Sequence, residues 1–192
     1  MSTCSKLSAN LIKDCDNPSV GGVSETLFLF NFDDWEEASY TTSGANSLVI
    51  DSTITLPGST TGYKSVGYTN TVRPLIEFSR ADGRPSYKHI VNFQVSLDDA
   101  ETNLQIEKLV GGKYVAIVLT NTKLIKVFGA TTGLQMADQA LQDYYAANAS
   151  FTLQLASIDE TLEGRAPLIY EGSASPYDFA TAKAEIEALI AS

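Results

Sequence analysis

The stretch that decides the fold is residues 87–128, which opens with Tyr87-Lys88-His89-Ile90-Val91-Asn92-Phe93-Gln94-Val95. Val91, Phe93 and Val95 alternate with smaller or polar residues, and a period of two marks a half-buried strand. Ser96 then reads as a helix N-cap whose hydroxyl accepts from an orphan backbone N–H, with Asp99 completing a capping-box-like pair. Asp98 and Glu101 put negative charge at the positive end of the helix dipole. Leu97, Ala100 and Leu104 share one helical face. Gly111-Gly112 ends the helix, because glycine takes the left-handed C′ conformation without steric cost. Two strands follow, 114–119 and 124–128, joined at Asn121-Thr122. The order is strand, helix, hairpin; the alternative makes residues 104–110 a strand turned through the two glycines.

Upstream, residues 1–16 are polar with small apolar islands at Leu7, Leu11 and Ile12, and read as an arm that is flexible or orders against a partner. Residues 16–19 and Gly21-Gly22 are turn signals. Residues 27–32 form a strongly apolar strand ended by Asn31 to Asp34. Asp33, Asp34, Glu36 and Glu37 then surround the only tryptophan, Trp35. Paired carboxylates can do acid–base work or hold a divalent cation, but adjacent residues at a strand end do not face one another across a sugar bond, and calcium-loop spacing is absent. The plainer reading is a solvated, charged turn. Residues 39–72 are rich in Ser, Thr, Gly and Asn. Within them 47–56 is strand-like, with Ile50, Ser52, Ile54 and Leu56 on one face and Pro57-Gly58 as its break. Residues 57–71 then read as a long polar connection with three anchors, Tyr63, Val66 and Tyr68. A connection of that kind is a mobile surface loop or one that orders against a neighbouring subunit.

Charge is unevenly placed. Lys64, Arg73, Arg80, Arg84 and Lys88 are five of the thirteen basic residues, opposed locally only by Glu77 and Asp82. Residues 159–187 carry seven acids and two bases. Such blocks are commonly solvated faces, but an electrostatically polar subunit suits head-to-tail association. Asp82-Gly83-Arg84-Pro85 is a turn. Downstream, residues 151–156 alternate well and 166–170 form a last short strand. Ser175-Pro176 then starts a terminal helix with Ser as N-cap, Pro at the first helical position and Asp178 at the third. Phe179, Ala182, Ile186 and Leu189 make one apolar stripe, the mark of a core or docking face.

With 192 residues, 44% of them hydrophobic, this is one domain or one domain with appendages, with material for a real core. A net charge of −10 disfavours collecting a phosphate backbone by counterion release. The longest strictly apolar run, 114–119, is far short of the ~20 residues of a membrane helix, so no membrane span is expected. No secretory leader pattern is visible in the first 16 residues. Cys4 and Cys15 form neither a CxxC nor a zinc pattern and read as reduced thiols, a disulfide tying down the arm being the alternative. His89, the sole histidine, has no partners at catalytic or metal-binding spacing and reads as structural. The glycine pairs lack a phosphate-binding frame. No catalytic residue, cofactor or metal is expected.

The expected fold is mainly β (α+β): a sandwich or barrel of about seven to nine strands, with a flanking helix over ~97–110 and a C-terminal helix over ~176–190. Its parts are an arm (1–16), a β domain (17–174) and the terminal helix (175–192).

The order of these pieces resembles tail tube and tail ring proteins of tailed bacteriophages, including the ring proteins of crAss-like phages. The residues that carry the likeness are Asp14-Cys15-Asp16-Asn17-Pro18 with Gly21-Gly22 before Leu27-Phe28-Leu29-Phe30-Asn31; Gly111-Gly112 before Lys113-Tyr114-Val115-Ala116-Ile117-Val118; Val127-Phe128-Gly129 followed by Gly133-Leu134; and Phe151-Thr152-Leu153-Gln154-Leu155. The resemblance implies a non-enzymatic virion structural protein made in the host cytoplasm. Its subunits would join at sheet edges into a homo-oligomeric ring of a tail or head–tail connector, beside neighbouring ring proteins. Stacked rings would form a conduit through which DNA passes without sequence-specific binding. The terminal helix departs from a minimal tube subunit and leaves a specialised ring equally open. On this reading Tyr63, Val66 and Tyr68 belong to an assembly loop, and Asp33, Asp34, Glu36 and Glu37 face a lumen or its rim. Two other classes stand beside it: a carbohydrate-binding or adhesin-like sandwich using Trp35, Tyr40, Tyr63, Tyr68 or Tyr87 as stacking platforms, and a capsid decoration protein.

Overall fold

The two most apolar runs of the sequence become two neighbouring inner strands of one sheet. β1 (Val23–Asn31) and β6 (Tyr114–Thr120) pair antiparallel, with Phe28 opposite Ile117. Leu27 to Phe30 and Tyr114 to Leu119 are buried at every position. A strand with no polar face needs cover on both sides. Leu27, Leu29, Ala116 and Val118 face one core, while Phe28, Phe30, Val115 and Ile117 face another.

The structure is a computed structural model describing residues 22–67, 71–81, 84–95, 100–137, 141–142, 151–158 and 162–190. The expected arm with its two cysteines, the Ser96–Asp99 cap and Tyr68 lie outside the described residues. After β1 come α1 (Phe32–Glu36), β2 (Val49–Ile50) and β3 (Tyr63–Val66); after β6 comes β7 (Ile125–Phe128), and later β11 (Leu168–Tyr170). The six-stranded sheet runs β2–β11–β7–β6–β1–β3. The second sheet is built from β4 (Arg73–Ala81), β5 (Arg84–Val95), β10 (Phe151–Ala156) and β8 (Gln135–Met136), in that order, with β9 (Leu141–Gln142) also paired to β10. α2 (Ala100–Gly111) links the two sheets, and α3 (Phe179–Glu187) closes the described chain. The fold is thus mainly β, two sheets with an internal and a C-terminal helix. Among the described residues there are eleven strands, three of them two-residue pairings.

The inner core lies between the sheets. Val91 and Phe93 of β5 and Phe151, Leu153 and Leu155 of β10 meet the inward side of β1 and β6 there. Their alternation with Asn92, Thr152 and Gln154 follows from a sheet with one face in the core and one outside. The outer core lies on the far face of the six-stranded sheet. Ala182 and Ile186 of α3 are fully buried there with Trp35, Ile50, Ile54 and Tyr170. Phe179 and Leu189 pack at its margin, completing the expected stripe.

Residues 104–110 are helical, as the strand, helix, hairpin reading expects, and the strand alternative falls. Several other local expectations need correction. The covered face of α2 is Thr102, Ile106 and Leu109, while Leu104 is 44% exposed. The helix leans on the sandwich from the side that the sequence stripe does not name. α3 starts at Phe179, with Asp178 as the N-cap: its carboxylate accepts from the Thr181 N–H at 3.0 Å. Asp is as good a cap as Ser, and this one has the donor in reach. Of the 47–56 run only β2 is a strand, because its partner β11 is short; Ile50 of β2 also bridges to Thr42, and the rest of the run has the isolated bridge of Thr55 to Ser39. Ile50 and Ile54 are nonetheless buried, as the alternation requires.

Candidate assembly surfaces and a buried polar cluster

The segment read as a loop over 57–71 contains an edge strand. β3 pairs antiparallel with β1, Tyr63 opposite Leu29 and Val66 opposite Thr26. Its position is set by contact rather than by pattern. Gly62, just before it, runs so close over the Phe30 ring that a Cβ would lie 2.4 Å from a ring carbon. The Gly62 N–H donates to the Leu189 carbonyl at 2.8 Å. Tyr63 and Val66 are 50% and 59% exposed, on a strand with one edge unpaired by any named strand.

Tyr63 also borders an apolar cleft of about 440 Å³. Its floor is the open mouth of the inner core, Leu29, Phe93 and Tyr114, and its far wall is Ile106 and Leu109 of α2. No residue of α2 is buried, and Leu104 and Val110 on its outer side are exposed. The Tyr114 hydroxyl donates to the Lys108 carbonyl at 3.0 Å, and burial raises its pKa, so it stays a neutral donor.

The second unusual surface is the β4–β5 hairpin. The strands pair from Arg73↔Asn92 to Ala81↔Arg84, but β10 pairs with β5 only from Ile90 onward. The distal part therefore reaches past its sheet neighbour. Phe78, on the same side of β4 as the half-buried Ile76, is 77% exposed. It is packed edge-on against Tyr87 across the hairpin, ring centroids 5.4 Å apart. The expected basic cluster falls largely on these strands: 73–95 holds Arg73, Arg80, Arg84 and Lys88 against Glu77 and Asp82.

The hairpin's base is pinned by His89, the histidine that reads as structural in the sequence, and by Glu163, which the sequence does not single out. His89 is buried; its Nδ1 accepts from the Gly129 N–H at 3.1 Å, so Nε2 carries the proton and donates to the Arg165 carbonyl, also at 3.1 Å. Gly129 is at φ +74°, and a Cβ there would also strike Leu134. Burial lowers the His89 pKa, with the Glu163 carboxylate and the Arg165 carbonyl opposing. Glu163 is buried beside it. Its Oε1 accepts from the Thr131 and Thr132 N–H groups and the Thr132 hydroxyl, and its backbone pairs with Tyr87. Both imidazole nitrogens are thus committed to main chain, which makes His89 a brace.

The four expected lumen acids share one helical turn. Asp33, Glu36 and Glu37 are exposed; Asp34 is half-buried and accepts from the Asn31 side-chain amide at 3.0 Å. Trp35 points the other way, 1% exposed, against Phe30 and Tyr40. It offers no face to a sugar ring. The Lys113 ammonium stands 5.9 Å from the Phe32 ring centroid, next to this turn.

A carboxylate of a different kind anchors α3. Glu185 accepts from the Tyr170 hydroxyl at 2.6 Å and from the Ser173 hydroxyl and N–H. Burial works against its charge, but the hydrogen bonds from Ser173, Tyr170 and Thr53 together hold its pKa below the usual range. Burial and the same carboxylate push the Tyr170 pKa far up.

Among the described residues, no three His, Cys, Asp or Glu side chains come together as a metal site, and no helix is long and apolar enough to cross a membrane. Compared with known protein families, curated proteins and solved structures, the chain matches none of them.

Proposed function

We propose that this chain is a non-enzymatic virion structural protein, the subunit of a homo-oligomeric ring in a phage tail or head–tail connector, stacked to form a conduit for DNA. The observation that carries the reading is where the apolar surface lies. Among the described residues, six of the seven large exposed hydrophobics, Tyr63, Val66, Leu75, Phe78, Leu104 and Val110, lie on β3, β4 and α2, the seventh being Ile158 just after β10. β3 and β4 are terminal strands of their sheets and α2 flanks the sandwich. Apolar surface gathered at edges suits lateral association, and open strand edges left in a stable subunit are ordinarily covered. The net charge of −10 suits a wall past which DNA slides without adhering. Asp33, Glu36 and Glu37 are the acids best placed for such a wall, being exposed on one turn. The burial of Trp35 removes the aromatic that a sugar-binding alternative would use first.

The test is the purified chain at rising concentration, followed by native mass spectrometry and negative-stain imaging. Closed rings of one copy number are expected. A monomer at every concentration overturns the reading.

A further inference from the structure

We propose that residues 11–21 lie in an opening on the β4 side of the sandwich, as a strap by which the chain closes its own inner core. The ring reading is not needed for this: a subunit that never assembles would still have the opening to close.

The opening measures about 630 Å³ and lies between the two sheets. Val23 of β1 and Phe128 of β7 line it from one sheet; Val72, just before β4, and Ile76 of β4 line it from the other. Val72 and Phe128 are buried members of the inner core, and the half-buried Val23 and Ile76 pack against that core. The core is thus incompletely covered where β4, the terminal strand of its sheet, has no further named strand beside it. Apolar surface at such an edge is ordinarily covered. The charged residues of the lining are Arg73 and Lys126, with no acid among the described lining residues. Among the described residues neither cation makes an ion pair or a side-chain hydrogen bond.

Three observations select the occupant. First, Gly22 is the first described residue and is itself part of the lining. Gly21 follows it at about 3.8 Å between Cα atoms, so the preceding segment sets out from the opening whatever its path. Second, the length suffices. An extended chain advances about 3.3 Å per residue, so residues 11–21 outreach the Val72–Phe78 stretch that lines the β4 side. Third, the chemistry is complementary. Residues 11–21 carry Asp14 and Asp16 against Lys13, and both acids lie within eight residues of Gly22. Leu11, Ile12, Pro18 and Val20 supply apolar side chains for the floor. A tether this short also keeps the segment at high effective concentration beside the opening, so a separate peptide competes poorly with it.

Hydrogen exchange of the full chain tests the strap. In the wild type the amides of residues 14–21 should exchange at least about ten-fold more slowly than those of an unstructured chain, at every protein concentration. Asp14→Lys with Asp16→Lys should remove that protection while leaving the circular dichroism unchanged. Arg73→Glu with Lys126→Glu should remove it as well, and all four changes together should restore it. Should the Arg73 and Lys126 pair fail to fold, the pair in the strap still decides. Residues 14–21 exchanging at unstructured rates in the wild type overturns the proposal, as does protection that survives both pairs of reversals. Protection that vanishes on dilution also overturns it, because the opening is then filled by a second copy. A monomer at every concentration that keeps the protection bears out the strap and overturns only the ring reading.

Discussion

The two longer helices look alike in sequence and are held quite differently. α3 sinks Ala182 and Ile186 completely into the outer core, is capped by Asp178, and is tied to the sheet through Tyr170 and Glu185. α2 buries no residue fully, although it is longer, at twelve residues against nine. Amphipathic periodicity marks a face that wants cover, but it does not say how much cover the fold supplies. α3 uses its stripe to complete the monomer. α2 spends only Ile106 and Leu109 on the sandwich and leaves Leu104 and Val110 outside. The same contrast runs along the β4–β5 hairpin, braced by His89 at its base and exposed at Phe78.

The sharpest way to break this contrast is to truncate one apolar residue on each helix. Ile186→Ala should destabilise the protein by about 3 kcal/mol, the usual cost of a cavity in a packed core. Urea titration would show it as a lower midpoint at unchanged slope. A loss below about 1 kcal/mol would mean that α3 is merely laid on the sheet.

Acidification tests the brace at the hairpin base. The His89 pKa is depressed by burial, so as pH falls the unfolded chain takes up its proton first. Stability should be complete above pH ~6.5 and fall as pH drops from there toward the depressed folded value. Because His89 is the only histidine, its imidazole proton resonance can be followed without assignment. A folded-state titration midpoint at or above 6.5 contradicts the buried, neutral brace.

A smaller effect is expected from Tyr170→Phe, which removes the hydroxyl that donates to Glu185 while keeping the ring. A loss of about 1 kcal/mol is expected, the net worth of one hydrogen bond. Smallest of all, Leu104→Ser on the outer side of α2 should change monomer stability by no more than about 0.5 kcal/mol. Were it to cost as much as Ile186→Ala, α2 would be as firmly docked as α3, and its outer face would belong to the monomer's core.

Which elements were legible in the sequence follows from how each is buried. β1, β6 and β10 could be read because burial alone decides their residues: apolar throughout where both faces are covered, alternating where one is. The α3 stripe was readable for the same reason. β4 was not, since Arg73, Glu77 and Arg80 interrupt any apolar period and Pro74 argues against a central strand. An edge strand tolerates both. β3 has no pattern of its own; β1 and the Phe30 ring beneath Gly62 set its place. Tyr63 and Val66 could be singled out from the sequence, but not as residues of a strand. The cleft, Phe78 as an exposed knob, and the His89–Glu163 brace depend on distant segments meeting, and periodicity carries no such information. A histidine inside an apolar strand was the only available hint of that brace.

The hydrogen bond from Gly62 to Leu189 has a mechanical consequence. It joins the edge strand β3 to the end of the best-anchored helix. β3 is therefore held along one side by β1 and at its start by α3. A pull on Tyr63 or Val66 would load the sheet that is covered on both faces, and in parallel the buried side chains of Ile186 and Ala182. A neighbour gripping this edge would hold a beam rather than a flap, and strain passed from subunit to subunit would reach the stiffest part of each.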